Sequence, residues 1–400
     1  GTASFDVGSL MLTTLDADPV NFDNFFSSGS QLFLTGAPGS TARIQIAPGA
    51  QITATPENAF FAVVAADVQM SGTARINGSH AYIAGEQVRL RFSNGLFDIF
   101  VDAGTAASGE VVTLNGTVGG PSSNGGTLDN HMIYAVARAT QDPISMLFSG
   151  NLGFDPAQSA GIVNGEIILA ANYNVFGRTV NGDTIRNGIT ADFAAENALT
   201  GVRGDVLLSD FSASSSVLAV SNGETVASGT SDVTGNLLLV ATGRAAIDVA
   251  NGDLFEVSGD VLVDAVDFGV VSSSLQSLDD INATGGTAQI VAQDGAEVQI
   301  GGNVAVLADA IAGANDLSRI GGSAQAGTAQ VLAADGQITI TGELTLRAAG
   351  IGSTVDNIVT GAAARGGTAR MDVGSDGIVS IGTGLFIDAS AIGAEGDLAN

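Results

Sequence analysis

Short runs of alternating apolar and polar residues recur along this chain, most clearly in its C-terminal half. In the segment GTAQVLAADGQITITGELTLRAA, which starts at Gly327, the pair Asp335-Gly336 and then Gly342 separate three such runs. Period-two alternation places successive side chains on opposite faces, so each run predicts a short β-strand with one buried face. The residues predicted to face inward are Ala329, Val331, Ala333, Ile338, Ile340, Leu344, Leu346 and Ala348.

The same pattern occurs four times. The copies start at Gly243, Gly286, Gly327 and Gly367, with spacings of 43, 41 and 40 residues. Short strands with Asp-Gly turns also suit antiparallel hairpins. A fixed repeat favours parallel stacking instead, because each copy then buries its inward residues against the next. With roughly 20 residues per coil, the chain would form on the order of 20 coils and a rod about 100 Å long.

The segments between the copies, residues 308–326 and 347–367, are polar and rich in glycine. Glycine and aspartate interrupt every candidate amphipathic helix in them, which argues against a doubly wound α/β fold. The predicted fold class is therefore all-β, as a parallel β-helix.

The N-terminal third has the same pattern with less regularity. Turns are predicted at Pro48-Gly49, Ser71-Gly72 and 93–95. The predicted strands are Ala42–Ile46, Gln51–Ala54, Phe60–Ala65, Ala74–Ile76, Gln87–Phe92 and Phe97–Val101. Three regions follow: coils in residues 1–118, irregular coils with extra loops in 119–211, and regular repeats in 212–400. Loops that project from the middle region, such as residues 170–188 and 192–204, are candidates for binding or simply longer turns.

Composition narrows the function. The chain has 55 glycines but 7 prolines, 45% hydrophobic residues, 5% aromatic residues and no tryptophan, which suits narrow, uniform core sites. The net charge is −28 and all 13 basic residues are arginine, so nucleic acid and insertion into a membrane are not expected. The absence of cysteine is compatible with export. The first twenty residues show no signal peptide, and we expect that one was removed or lies upstream.

The N-terminal region resembles the large exoproteins of two-partner secretion, the filamentous haemagglutinin-like adhesins. The residues that carry the resemblance are FDVGSLMLTTLD at 5–16, GAQITA at 49–54, FAVVAADVQMSGTARINGSHAYIAGEQVRL at 61–90 and GLFDIFVDAG at 95–104. The resemblance covers about the first hundred residues. It implies a right-handed parallel β-helix that continues into a repeat shaft. The Asn-Pro-Asn-Gly type motif that precedes the first of these segments in the family is not found here, so no residue is assigned to the secretion signal.

The resemblance also implies a location and partners. The chain would be a non-enzymatic adhesin at the bacterial cell surface or outside the cell. It would pass through an outer-membrane transporter during secretion and then bind a host cell, a surface or a biofilm polysaccharide, with self-association as a further option. An autotransporter passenger and a self-assembling matrix or filament subunit are alternatives.

Candidate chemistry is sparse. No catalytic, cofactor-binding or metal-binding residue is assigned. Calcium is a minor alternative for the oxygen-rich stretch of Asp16, Asp18, Asn21 and Asp23, whose spacing matches no known calcium loop. The two histidines, His80 and His131, are expected in surface or turn positions. Without cysteine, a zinc site would need carboxylates as most of its ligands.

A β-helical polysaccharide lyase or hydrolase is the enzyme alternative. Its acid pair would come from Asp279-Asp280 or from Asp192 with Glu196. The scarcity of cations and aromatic platforms argues against it, since a lyase must neutralise a uronate carboxylate.

Overall fold

The structure is a computed structural model, which describes residues 3–17, 25, 31–123, 129–155, 166–180, 202–268, 282–315, 320–352 and 363–393. Every element whose bounds it describes is a β-strand, so the all-β prediction is confirmed for this part of the chain. The chain forms two compact units. The first contains Gly1–Ile185, Leu199–Asn222 and Ser231–Asn236, and the second contains Arg186–Ala198, Gly223–Thr230 and Leu237–Asn400.

Most strands of the first unit belong to parallel ladders. One group comprises β1 (Ser4–Asp6), β2 (Leu10–Thr13), β6 (Gln51–Ala65), β8 (Thr73–Ala84), β12 (Thr117–Gly120), β13 (Met132–Ala137), β15 (Asn151–Phe154), β16 (Glu166–Ala171), β20 (Ser212–Ala213), β21 (Val217–Ser221) and β23 (Ser231–Val233). A second group comprises β5 (Arg43–Ile46), β7 (Asp67–Met70), β11 (Gly109–Leu114), β14 (Ile144–Phe148) and β19 (Gly204–Ser209). All pairings within these groups are parallel, as the sequence predicts.

An antiparallel sheet in the first unit is a departure from the predicted pattern. Its strands, in chain order, are β3 (Asp16–Ala17), β4 (Leu32–Thr35), β9 (Gln87–Ser93), β10 (Leu96–Ala103), β17 (Val175–Phe176) and β18 (Thr179–Val180). The strands predicted near residues 87–92 and 97–101 are present, but they form a hairpin rather than successive coil strands. The reason is the turn: Asn94 and Gly95 both have positive φ, the conformation that a tight two-residue hairpin requires.

The second unit contains the four predicted repeats. Its ladder strands are β22 (Glu224–Ser228), β24 (Leu237–Ala241), β25 (Arg244–Val249), β26 (Leu254–Val257), β27 (Val261–Asp264), β30 (Thr287–Ala292), β31 (Glu297–Ile300), β32 (Val304–Leu307), β37 (Thr328–Ala333), β38 (Gln337–Ile340), β39 (Glu343–Arg347), β42 (Thr368–Val373), β43 (Ile378–Ile381) and β44 (Gly384–Asp388). Equivalent strands pair in parallel and in register, so that Ala288 lies beside Ala329 and Ala329 beside Ala369. The predicted inward residues of the Gly327 copy are all buried.

Burial of the repeats depends on the neighbouring copy. Leu344 of the third copy is fully buried, whereas its register partner Leu385 in the fourth copy is 45% exposed. No strand among the described residues pairs with the far side of the fourth copy. A single copy therefore cannot bury its own inward residues, which is the physical reason for the repeat.

The glycine-rich segments between the copies also form ladders. The four short strands β28 (Asp267–Phe268), β33 (Ala310–Ile311), β40 (Gly350–Ile351) and β45 (Ala391–Ile392) pair in parallel. So do β29 (Ala283–Thr284), β36 (Ala324–Gln325) and β41 (Ala364–Arg365), while β34 (Ala314–Asn315) and β35 (Ile320–Gly321) form an antiparallel pair. A small alanine core of Ala283, Ala310, Ala312 and Ala324 lies under these strands.

The predicted coil of roughly 20 residues is wrong for the repeats. Thr287 pairs with Thr328, 41 residues later, so a complete repeat adds one rung to the ladder. In the first unit Gln51 pairs with Thr73, but Asn151 pairs only with Ser212. The linkers are part of each coil, and the 100 Å length derived from shorter coils does not hold. Among the described residues no helix is long and apolar enough to span a bilayer.

Candidate functional site

A bulge in β6 creates the first element of the candidate site. The register between β6 and β8 shifts between Ala54 and Ala59, and Asn58 within the bulge has a φ of 57°. The bulge carries Glu57, whose side chain is 47% exposed. A β-bulge redirects side chains that would otherwise alternate across the sheet. Here it turns Glu57 towards the segment that precedes β13.

Asn77 of β8 holds the Glu57 side chain in place. Its Nδ2 donates to the backbone oxygen of Thr55 at 3.1 Å and to Glu57 Oε2 at 3.1 Å. One carboxylate oxygen of Glu57 is therefore occupied by a protein donor, and the other, Oε1, is turned towards His131.

His131 immediately precedes β13, and its side chain is completely buried. Its Nδ1 lies 2.7 Å from the backbone oxygen of Pro121. A carbonyl oxygen only accepts hydrogen bonds, so Nδ1 carries the proton, and in the neutral ring Nε2 presents a lone pair. The Phe154 ring packs beside the imidazole at a centroid distance of 5.6 Å.

Two carboxylates converge on His131 Nε2. Asp129 Oδ1 lies 2.9 Å from this nitrogen and Glu57 Oε1 lies 3.5 Å from it. The direction of neither contact makes a hydrogen bond to Nε2, although the atom is buried. One ligand atom from each of the three residues lies within 4.8 Å of the others. We name Glu57, Asp129 and His131 the EDH cluster.

The electrostatics of the EDH cluster reflect crowded oxygen atoms. The pKa of Glu57 is raised, first by a hydrogen bond shared with Asp129 and then by desolvation. A carboxyl group beside another carboxylate retains its proton because two negative charges at this separation repel each other. The cluster therefore favours a positive species, either a proton or a cation, between its ligand atoms.

No family model, curated protein or solved structure matches this chain. The EDH cluster is consequently argued from its own geometry.

Prediction from sequence missed the EDH cluster. His131 was expected at the surface or in a turn, and that expectation is wrong for both histidines, because His80 is also fully buried. The available signal was the acidic residue two positions before His131. Glu57 is more than 70 residues away in the sequence, and only the pairing of β6, β8 and β13 brings it close.

The other candidates from the sequence do not form a described site. Asp16 lies in β3 and is exposed. The remaining candidates lie outside the described residues; they are Asp18, Asn21, Asp23, Asp192, Glu196, Asp279 and Asp280. The Gly-rich string at 119–126, interpreted from sequence as turns, begins inside β12.

His80 is a core residue with no carboxylate partner among its printed contacts. Its Nε2 donates to the backbone oxygen of Gly119 at 3.0 Å, and the Tyr82 hydroxyl lies 3.4 Å from Nδ1. Desolvation by burial lowers the pKa of His80 to about 3, with a smaller lowering effect from His131. The ring is therefore neutral in the folded protein, since a charged ring would lack solvation.

We expect His80 to make folding stability depend on pH below neutrality. In the unfolded chain the histidine takes up a proton near pH 6.5, whereas the folded chain resists this down to about pH 3. Stability is thus complete above pH 6.5 and falls below it, by at most about 1.4 kcal/mol per pH unit. The measurement is urea unfolding of the wild type and of His80→Gln, in chelator, between pH 7 and 4.5. The variant should show the shallower dependence; equal slopes would contradict the assignment.

Proposed function

We propose that this chain is a non-enzymatic, extracellular scaffold of a bacterial surface adhesin, folded as a right-handed parallel β-helix. The observation that carries the proposal is the in-register stacking of the four repeats in the second unit. A ladder of this kind grows by one rung for each repeat and is rigid along its axis, which suits the presentation of a surface rather than catalysis.

Handedness follows from a general rule. Parallel strands joined by a crossover within one sheet are right-handed in about 98% of connections, because the twist of the strands favours that direction. Every successive rung here joins parallel strands through such a crossover. A right-handed coil is therefore the expected form of both units.

Charge and composition support an exposed, extended surface. A net charge of −28 on 400 residues keeps neighbouring molecules apart and disfavours anionic partners such as nucleic acid. The absence of cysteine removes any need for disulfide formation after export. An outer-membrane transporter during secretion and a cell, surface or polysaccharide receptor afterwards are the proposed partners.

The test is adhesion measured without turnover. The chain has no cysteine, so Ser380→Cys supplies one exposed attachment point for coupling it to beads. We expect these beads to resist shear on cultured cells or on a polysaccharide film better than beads coated with an unrelated acidic β-protein. The same polysaccharide, incubated with the free chain, should release no reducing ends or unsaturated uronates. Release of such products would replace the scaffold with the enzyme alternative, and equal detachment of both bead types would contradict adhesion.

A further inference from the structure

The EDH cluster is an arrangement of ligand atoms that a proton satisfies poorly. His131 is completely buried, and its Nε2 makes no hydrogen bond, although it points between two carboxylates. A buried polar atom that lacks a hydrogen bond is costly, so such an atom calls for a specific explanation. A bound cation would supply the missing partner.

We propose that Glu57, Asp129 and His131 form a binding site for one divalent transition-metal ion of the Zn²⁺ class. The imidazole nitrogen selects this class over Ca²⁺ and Mg²⁺, which prefer oxygen ligands. Two carboxylate oxygens and one neutral imidazole are three protein ligands of the kind that zinc accepts, with water completing the coordination.

The separations between ligand atoms fit such an ion. Two ligands bound about 2.0–2.1 Å from zinc lie about 3.4 Å apart at the tetrahedral angle and about 2.9 Å apart at a right angle. Nε2 lies 2.9 Å from Asp129 Oδ1 and 3.5 Å from Glu57 Oε1. The protein atoms are therefore already near the spacing that the metal requires.

The surroundings also orient the ligands as metal sites do. Metal-binding histidines usually donate their second ring nitrogen to a carbonyl or carboxylate, which fixes the tautomer and ring orientation. His131 Nδ1 donates to Pro121 O, and Asn77 Nδ2 donates to Glu57 Oε2. Glu57 is 47% exposed, so an ion reaches the buried nitrogen from its side.

The site has a defined place in the first unit. Asn130 lies between Asp129 and His131, and its Nδ2 donates to the Asn94 backbone oxygen in the β9–β10 turn at 2.7 Å. An ion would thus join the β6 bulge to the start of β13, beside the residue that holds this turn. Metal binding is expected to stabilise the first unit, because the ion binds the folded arrangement and not the unfolded chain.

The experiment uses the fact that the full chain has only two histidines. Chain labelled with ¹⁵N-histidine is treated with chelator and titrated with ZnCl₂. Imidazole nitrogen shifts, bound zinc and the thermal midpoint are followed together. We expect one equivalent of zinc to shift the His131 Nε2 signal and raise the midpoint. The His80 nitrogens should not move, because no carboxylate ligand lies beside them in the structure.

Variants separate this site from weak binding elsewhere on an acidic chain. Glu57→Gln changes an exposed side chain and preserves its shape, so it should fold normally and lower zinc affinity by about tenfold or more. Asp129→Asn should do the same. Glu110→Gln, which changes an exposed glutamate of β11 in the same unit, is the matched control and should bind zinc like the wild type. Absence of a saturable site, an unmoved His131 signal, or unchanged affinity in both Glu57→Gln and Asp129→Asn would overturn the proposal.

Discussion

Gly327→Ala is expected to destabilise the second unit by about 3 kcal/mol, at the upper end of the usual cost of overpacking. A Cβ at Gly327 would lie 1.8 Å from the backbone oxygen of Gly286 in the preceding repeat. That oxygen cannot move away freely, because it accepts the hydrogen bond from Thr328 N at 2.9 Å. The methyl group must therefore break the ladder or push two repeats apart. Urea unfolding followed by circular dichroism measures the loss.

Gly384→Ala is the matched control. The nearest atom to a Cβ at Gly384 is Glu343 Cγ at 3.7 Å, an ordinary contact, and the backbone there has no positive φ. This substitution should be neutral or stabilise by about 0.4–1 kcal/mol, through the entropy of the unfolded chain. Equal unfolding midpoints for the two variants would contradict close stacking at Gly327. Hydrogen exchange should locate the damage at the amides that join the second and third repeats.

Asp309→Ala is expected to cost about 2–3 kcal/mol. Asp309 is completely buried, and its Oδ2 accepts hydrogen bonds from the Arg347 guanidinium, one of them from Nε at 2.7 Å. Its Oδ1 accepts from Ala349 N at 2.8 Å. Removing the carboxylate leaves a buried amide and a half-buried cation without their partner. The usual cost of breaking a buried pair, about 3–5 kcal/mol, is reduced here because Arg347 is 35% exposed and solvent screens its charge.

Two further variants divide this cost. Asp309→Asn retains an acceptor for Ala349 N and removes the charge, so it should destabilise less than Asp309→Ala. Asp155→Ala removes the carboxylate of an ion pair with Arg75 in which both side chains are more than half exposed, and it should cost less than about 1 kcal/mol. Chemical denaturation of the three variants supplies the comparison. A loss for Asp155→Ala as large as that for Asp309→Ala would show that burial is not the cause.

Local patterns were sufficient to predict the strands of the repeats. Ile338 and Leu346 are buried as expected, because alternation within a strand directly specifies its inward face. The repeat also predicted correctly that Ala329 pairs in parallel with its copies. Gln330 is a partial exception: it is largely buried and donates to Asp372 of the next copy.

The coil length and the antiparallel sheet could not be obtained in the same way. The two-residue strands at Ala310–Ile311 and Ala324–Gln325 are too short to show a period, so the linkers were taken as separators rather than as part of the coil. In the hairpin of β9 and β10, the strands have the same alternation as coil strands. Alternation alone does not distinguish a parallel neighbour from an antiparallel one.

The sequence by itself determined the all-β class, the parallel pairing of the repeats and the surface charge, since these depend on residues close together in the chain or on its periodicity. Only the tertiary structure decided the burial of His80 and His131 and the meeting of Glu57 with Asp129. These depend on which distant strands become neighbours and on a bulge that rotates one side chain out of register. Such contacts arise from the cooperative stacking of rungs separated by dozens of residues, for which a single sequence carries no local signal.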